Sequence, residues 1–347
     1  MSAFPSTALQ QHQPYQISRR LGGILPGLAA AVAVAIVATV TGQHVPLVGS
    51  AVPGAVIGAV IAIAVRPGTR LAPGLKWASS FVLQCSVVLL GTQLSLAEAA
   101  RVGLSSLPVM LGTLAICLAA AYGYGRLLGV SGDLRTLIGA GTGICGASAI
   151  AAVSPVIGAA SADVAYAIST IFVFNIAAVI VFPVIGHAIG MSQQAFGLFA
   201  GTAVNDTSSV VATATTYGQS AAGHAVVVKL VRTLMIIPVC LGLAARGERS
   251  ARMSPRRAAR LVPWFLIGFA AAAGVNSAGV IPAAAHGPVG HVSAFLVAVA
   301  LSAIGLSTDL AALRRAGARP LLLGALLWVT VGAASLALQS VTGALHV

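Results

Sequence analysis

Apolar runs of about twenty residues recur along almost the whole of this 347-residue chain, separated by short polar segments. Coiled as an α-helix, such a run matches the thickness of a bilayer's hydrocarbon core, because a helix rises about 1.5 Å per residue. Charged residues make up only 7% of the chain, against roughly a quarter in an average soluble domain. So few charges cannot coat a soluble fold of this size. The runs are continuous rather than alternating, which excludes a transmembrane barrel. The chain is therefore expected to be an all-α polytopic membrane protein.

Eleven spans are expected, near Leu21–Val40, Val45–Val65, Ala78–Leu96, Leu107–Tyr124, Leu134–Ile157, Val164–Ile185, Ala195–Thr213, Ala221–Ala244, Leu261–Val280, Val292–Leu306 and Pro320–Leu338. The polar residues 1–20 read as a disordered cytoplasmic N-terminus. Residues 21–340 read as one transmembrane domain, with approximate repeats 45–190 and 195–340. Arg19-Arg20 before an apolar run resembles a signal peptide, but the run is long and has no clear cleavage site, so it reads as an uncleaved first span.

The net charge is +13, and its placement serves topology rather than nucleic acid. Sixteen of the nineteen Lys and Arg fall in alternate inter-span segments on one side, and only Arg101 falls on the other. That bias puts the N-terminus in the cytoplasm and, after eleven spans, the C-terminus outside. No phosphate-cradling GxxxxGK[ST] motif occurs, so transport driven directly by ATP on this chain is not expected. Cys85, Cys117, Cys145 and Cys240 lie inside apolar runs without metal spacing. No His/Glu cluster or serine–histidine pair suggests an enzyme, a metal site or a cofactor.

Two stretches resemble each other. Leu90–Ala119 and Ile304–Ala333 each have a glycine-led turn, a polar break, a short connector, then a proline and a span. By the charge count they enter the membrane in opposite directions, the mark of an inverted-topology repeat. Gly141–Ala152 also resembles Gly201–Ala212, but those two run in the same direction.

The residues most costly in a membrane are Lys229 and Arg232, one helical turn apart near the middle of an apolar run. Ionisable groups at such depth usually mark a substrate or ion path. Gly201–Ser209 is densely polar at similar depth, with Asn205, Asp206, Thr207 and Ser208. Gly139–Ile150 packs four glycines into one span. That run either lets helices approach closely or forms a broken helix whose free N–H groups face an anion. Thr142, Gly143, Cys145, Gly146 and Ser148 are the candidate ligands there. Asp206 can neutralise only one of the two bases. The remaining positive charge suits an anion, with Arg232 as a bidentate clamp. The alternative is that both bases bind backbone carbonyls of broken helices.

The strings GAGTGICGASAIAAVSPVI, AGTAVNDTSSVVATATTYG, AVVVKLVRTLMIIPV, VVLLGTQLSL and AIGLSTDLAALRRAGARPLLLG resemble the hallmark segments of the YeiH-type membrane proteins, the sulfate exporter family. The resemblance covers nearly all of the chain beyond residue 20. It implies a bacterial inner-membrane protein of ten or eleven spans. It also implies a distant relation to the bile-acid-symporter and cation/proton-antiporter superfamily, whose members cross two broken helices at mid-membrane. GICGASAI would be the first crossing element and Ala300–Asp309 the candidate second. Asn205-Asp206 stands where some members carry His-Glu.

The reading that follows is a secondary transporter exporting a small anion, sulfate or organosulfonate-like, by alternating access. H+ or Na+ is a candidate coupling ion, the bilayer the surrounding partner, and homo-oligomerisation stays open. The alternative is a sodium/proton-type antiporter using Asp206 and Lys229.

Overall fold

The computed structural model describes residues 15–44, 51–65, 68–246, 264–307 and 317–345. Every regular element among them is helical. In chain order these are α1 (Tyr15–His44), α2 (Ala51–Val65), α3 (Ala72–Trp77), α4 (Leu83–Gly91), α5 (Leu96–Leu127), α6 (Gly132–Gly143), α7 (Ala147–Ile157) and α8 (Ser161–Ala188). There follow α9 (Gln193–Ala203), α10 (Thr207–Tyr217), α11 (Gln219–Thr233), α12 (Ile236–Arg246), α13 (Trp264–Ser277), α14 (Ala283–Leu306) and α15 (Ala318–Val341). One π turn, Ala78–Val82, joins α3 to α4.

Seven segments among the described residues are helical, long and apolar enough to cross a membrane: Gly23–Thr41, Ala72–Gly91, Leu96–Leu127, Ser161–Ala188, Gln219–Ala245, Ala284–Leu306 and Ala318–Val341. The other four expected spans take a different form. Two are the short apolar helices α2 and α13. Two are interrupted, as α6–α7 and α9–α10. The first helix begins at Tyr15, so residues 15–20 of the expected disordered N-terminus are helical. Residues 1–14 and Asp309 lie outside the described residues, as does most of the expected loop Arg246–Arg260.

Local chemistry sets the helix ends. Ser95 accepts a hydrogen bond from the N–H of Glu98 and starts α5. Ser131 and Ser192 do the same for α6 and α9. Each satisfies an N–H that has no partner inside its helix. Pro238 lies just beyond the interruption between α11 and α12. It lacks an N–H and crowds the carbonyl four residues back, at Leu234.

The helices assemble into two groups. One holds α1, α2, α3, α4, α13 and α14; the other holds α5 to α12 and α15. Within the first group α2 and α14 pack most extensively. Gly54 and Gly58 face Ser302 and Gly305, so the two backbones touch. This small-residue contact is how helices associate where lipid removes the usual hydrophobic drive. In the second group, Phe182 of α8 stacks on Trp328 of α15 at 5.0 Å and tilts against Phe199 of α9 at 4.8 Å. The groups meet along α10, which touches both α2 and α14.

A Cβ added at Gly58 would lie 2.7 Å from the Ser302 carbonyl oxygen, whereas one added at Gly274 meets nothing within 4 Å. Gly58→Val should therefore lower the melting temperature of the detergent-solubilised protein, with overpacking costing about 1–3 kcal/mol. Gly274→Ala should leave it unchanged.

Candidate functional site

The two interrupted helices meet at their breaks. α6 ends at Gly143, and α7 starts after Gly146, whose φ of +71° suits glycine. α9 ends at Ala203, Val204 is extended, and Asp206 caps α10. A Cβ on Gly146 would sit 3.0 Å from that of Asp206. The polar break at 204–206 is thus the partner of the glycine-rich break. Of the expected second element Ala300–Asp309, Ala300–Leu306 is the last part of α14, and residues 308 and 309 lie outside the described residues.

Lys229 and Arg232 lie on α11, fully buried behind the two breaks. The Lys229 ammonium donates to the Val204 carbonyl at 2.8 Å. Arg232 Nε donates to the Gly143 carbonyl at 2.5 Å, and Nη1 donates to the Thr202 carbonyl. Arg232 therefore ties the C-terminal end of α6 to that of α9. Two of the three guanidinium nitrogens expected to clamp an anion are thus engaged by protein carbonyls. The carbonyls at a helix C-terminus have no intrahelical donor and carry a partial negative charge. In a low-dielectric interior they capture the nearest cations. Nη2 alone has no hydrogen-bond partner among the described residues.

Asp206 serves the opposite end. Its carboxylate accepts from the N–H and the hydroxyl of Ser208. Its own N–H donates to Asn175 Oδ1 on α8 at 3.1 Å. No ion pair joins Asp206 to Lys229 among the described residues.

Each half-helix end carries about half an elementary charge, positive at the N-terminus and negative at the C-terminus. The ends of α6 and α9 face the two bases, and the start of α10 faces Asp206. The start of α7 has no side-chain cap. The Asp206 carboxylate stands close by, its Oδ1 3.4 Å from the Cβ position of Gly146, and the donors left at the breaks are the first N–H groups of α7, at Ala147 and Ser148.

A cavity of about 130 Å³ opens at that point. Ala147 of α7, Asn175 of α8, and Asp206, Ser208 and Ser209 line it, with Ile304 of α14 across from them. It therefore lies where the two helix groups meet. Its volume suits a small ion with a few waters. Neither Lys229 nor Arg232 lines it.

The remaining candidates spread around these breaks. Ser148 is exposed and its hydroxyl donates to the Cys145 carbonyl. The Cys145 thiol lies 2.8 Å from the Ser148 hydroxyl. Thr142 Oγ1 and Asn205 Oδ1 are buried without a partner among the described residues. Thr207 opens α10 and is half-buried. Three contributors escaped the sequence reading. Asn175 is one, although a lone asparagine in the run Phe172–Val181 was a readable signal. Ser335 and Gln339 of α15 are the others; the Ser335 hydroxyl lies 2.7 Å from that of Thr202, and Gln339 donates to Ser335 at 3.1 Å.

Residues 26–324 match the model of the family described as Conserved hypothetical protein 698. The chain is also 38% identical over 327 residues to a UPF0324 membrane protein of Streptococcus pyogenes serotype M3, covering 91% of this chain and 96% of that one. The chain belongs to the UPF0324 family of membrane proteins. A second UPF0324 relative, from Fusobacterium nucleatum subsp. nucleatum, is 38% identical over 340 residues, covering 92% of this chain and 98% of its own. A third, from Streptococcus agalactiae serotype V, is 37% identical over 329 residues, with the same coverage. These matches extend across both interrupted helices, so the UPF0324 assignment covers the site.

Two substitutions test the geometry. Arg232→Lys keeps the charge but loses the fork that spans two helix ends, leaving a buried carbonyl without its donor. That should destabilise the protein by about 1–3 kcal/mol, read as a lower melting temperature in detergent. Gly146→Ala should also lower the melting temperature, because the added methyl demands both a strained φ and a wider gap to Asp206.

Proposed function

We propose that this UPF0324 protein is a secondary transporter of a small anion, bound where the two interrupted helices meet. The observation that carries the reading is the uncapped start of α7 beside a cavity between the two helix groups. Backbone N–H groups at a helix N-terminus bind anions without any basic side chain. The two bases then have a supporting role: they neutralise the opposite helix ends and hold the breaks in register. Alternating access proceeds by one helix group moving against the other, exposing the cavity first to one side and then to the other.

The finer parts of the reading rest on the sequence. The cargo is sulfate or an organosulfonate-like anion, moved outward across a bacterial inner membrane, as the sulfate exporter resemblance suggests. The eleven expected segments count as eleven crossings, with each interrupted pair taken as one, an N-terminus inside and a C-terminus outside. Leu90–Ala119 and Ile304–Ala333 are inverted counterparts, and the packing of α4 on α14 and of α5 on α15 supports that pairing. H+ or Na+ is the candidate coupling ion.

One observation favours a second reading. Asp206 lines the cavity and the bases do not, as suits a sodium/proton-type antiporter working through Asp206 with Lys229 behind it.

Flux into proteoliposomes separates the two. Labelled sulfate or methanesulfonate should enter wild-type vesicles saturably under an imposed gradient. Ala147→Asp places a carboxylate in the first turn of α7, where it offsets the positive helix end and repels an anion. It should keep the melting temperature and cut anion flux at least tenfold. Absence of wild-type anion flux, together with sodium- or pH-driven flux lost in Asp206→Asn, would replace the anion reading with the antiporter.

A further inference from the structure

A second, larger cavity of about 560 Å³ lies away from the crossing, between α5, α6 and α12. Its walls are mostly carbon: Leu118 and Ala119 of α5, and Val239 and Leu243 of α12. Its polar end holds Arg135 in the first turn of α6 and Tyr122 of α5. The Arg135 guanidinium stacks 5.0 Å above the Tyr122 ring. Arg126, in the last turn of α5, donates to the Tyr122 hydroxyl at 3.3 Å. Arg319 of α15 reaches the turn between α5 and α6 at Gly129. Among the described residues neither Arg126 nor Arg135 has a carboxylate partner.

The arrangement is graded along the helix axis. Both arginines sit at helix ends, the level at which long basic side chains reach headgroups. Leu118 precedes Arg126 by eight residues, which places it about 12 Å deeper at 1.5 Å per residue. Ala119, Tyr122 and Gly242 are exposed, so the cleft opens on the perimeter of the bundle and not toward the crossing. A void of this size on a lipid-facing surface is filled by acyl chain, since neither water nor vacuum suits carbon walls. Unpaired guanidinium groups above such a groove complement a phosphate.

We propose that this cleft binds one anionic phospholipid, its phosphate on Arg135 and Arg126 and an acyl chain along Leu118, Ala119, Val239 and Leu243. The occupant is a membrane lipid and not transported cargo, and the proposal stands apart from the transport reading. Its floor is Gly139 and Ala140 of α6, one turn before the break at Gly143. The lipid therefore braces the half-helix that Arg232 ties to α9.

Native mass spectrometry and thermal melting of the purified full-length protein in detergent test it, with phosphatidylglycerol, phosphatidylcholine of the same acyl chains, and inorganic phosphate as probes. Wild type should retain phosphatidylglycerol and melt higher with it, and should respond weakly to the other two. Arg135→Gln should reduce retained phosphatidylglycerol at least fivefold, while Arg70→Gln, in a loop beyond the cleft, should not. Gly242→Phe provides a second variant, because a side chain there projects into open space. It should displace the lipid even if the arginine variant folds poorly. Equal response to both lipids, stabilisation by phosphate alone, or undiminished phosphatidylglycerol in Gly242→Phe would each overturn the assignment.

Discussion

Two helix ends buried in a membrane protein's interior need positive charge, and Lys229 and Arg232 supply it. A carbonyl terminus without water or a donor costs several kcal/mol in such surroundings. The fold has two of them close together, at Gly143 and at Thr202–Val204. Arg232 is the side chain suited to reach both, because its planar fork presents donors in different directions. Breaking two helices in the same place is feasible only because one adjacent helix carries both bases on one face.

That constraint orders the remainder of the site. With the bases turned to the carbonyl ends, Asp206 is free to cap α10, and Asn175 holds the backbone of the second break against α8. The start of α7 has no side-chain cap of its own. The chemistry on offer to a ligand is then backbone amide, hydroxyl and one carboxylate, at the seam between two groups of helices.

Much of this was legible in the sequence, and the parts that were not share a cause. The polytopic all-helical class follows from run length and scarcity of charge. The break near Cys145–Gly146 follows from four glycines in one span, and the clustered polarity at Asn205–Ser208 marks the second site element, though not that its helix is interrupted. Counting side-chain charges, however, leaves out the partial charges that helix ends acquire only when the breaks are in place. For that reason Arg232 read as a clamp with a vacant partner, while its real partner is a carbonyl 89 residues away. Asn175 was overlooked because one amide in an apolar run looks inert until its neighbour across the interface is known.

Gly146 carries a consequence for how the two breaks are allowed to move. Its bare α-carbon lies against Asp206, so the two loops interlock like a pin in a slot. Sliding one loop along the other by a residue would bring Ala147 or Cys145 into a gap already tight for a methyl. Rotation about this contact or separation across it is therefore easier than translation along it.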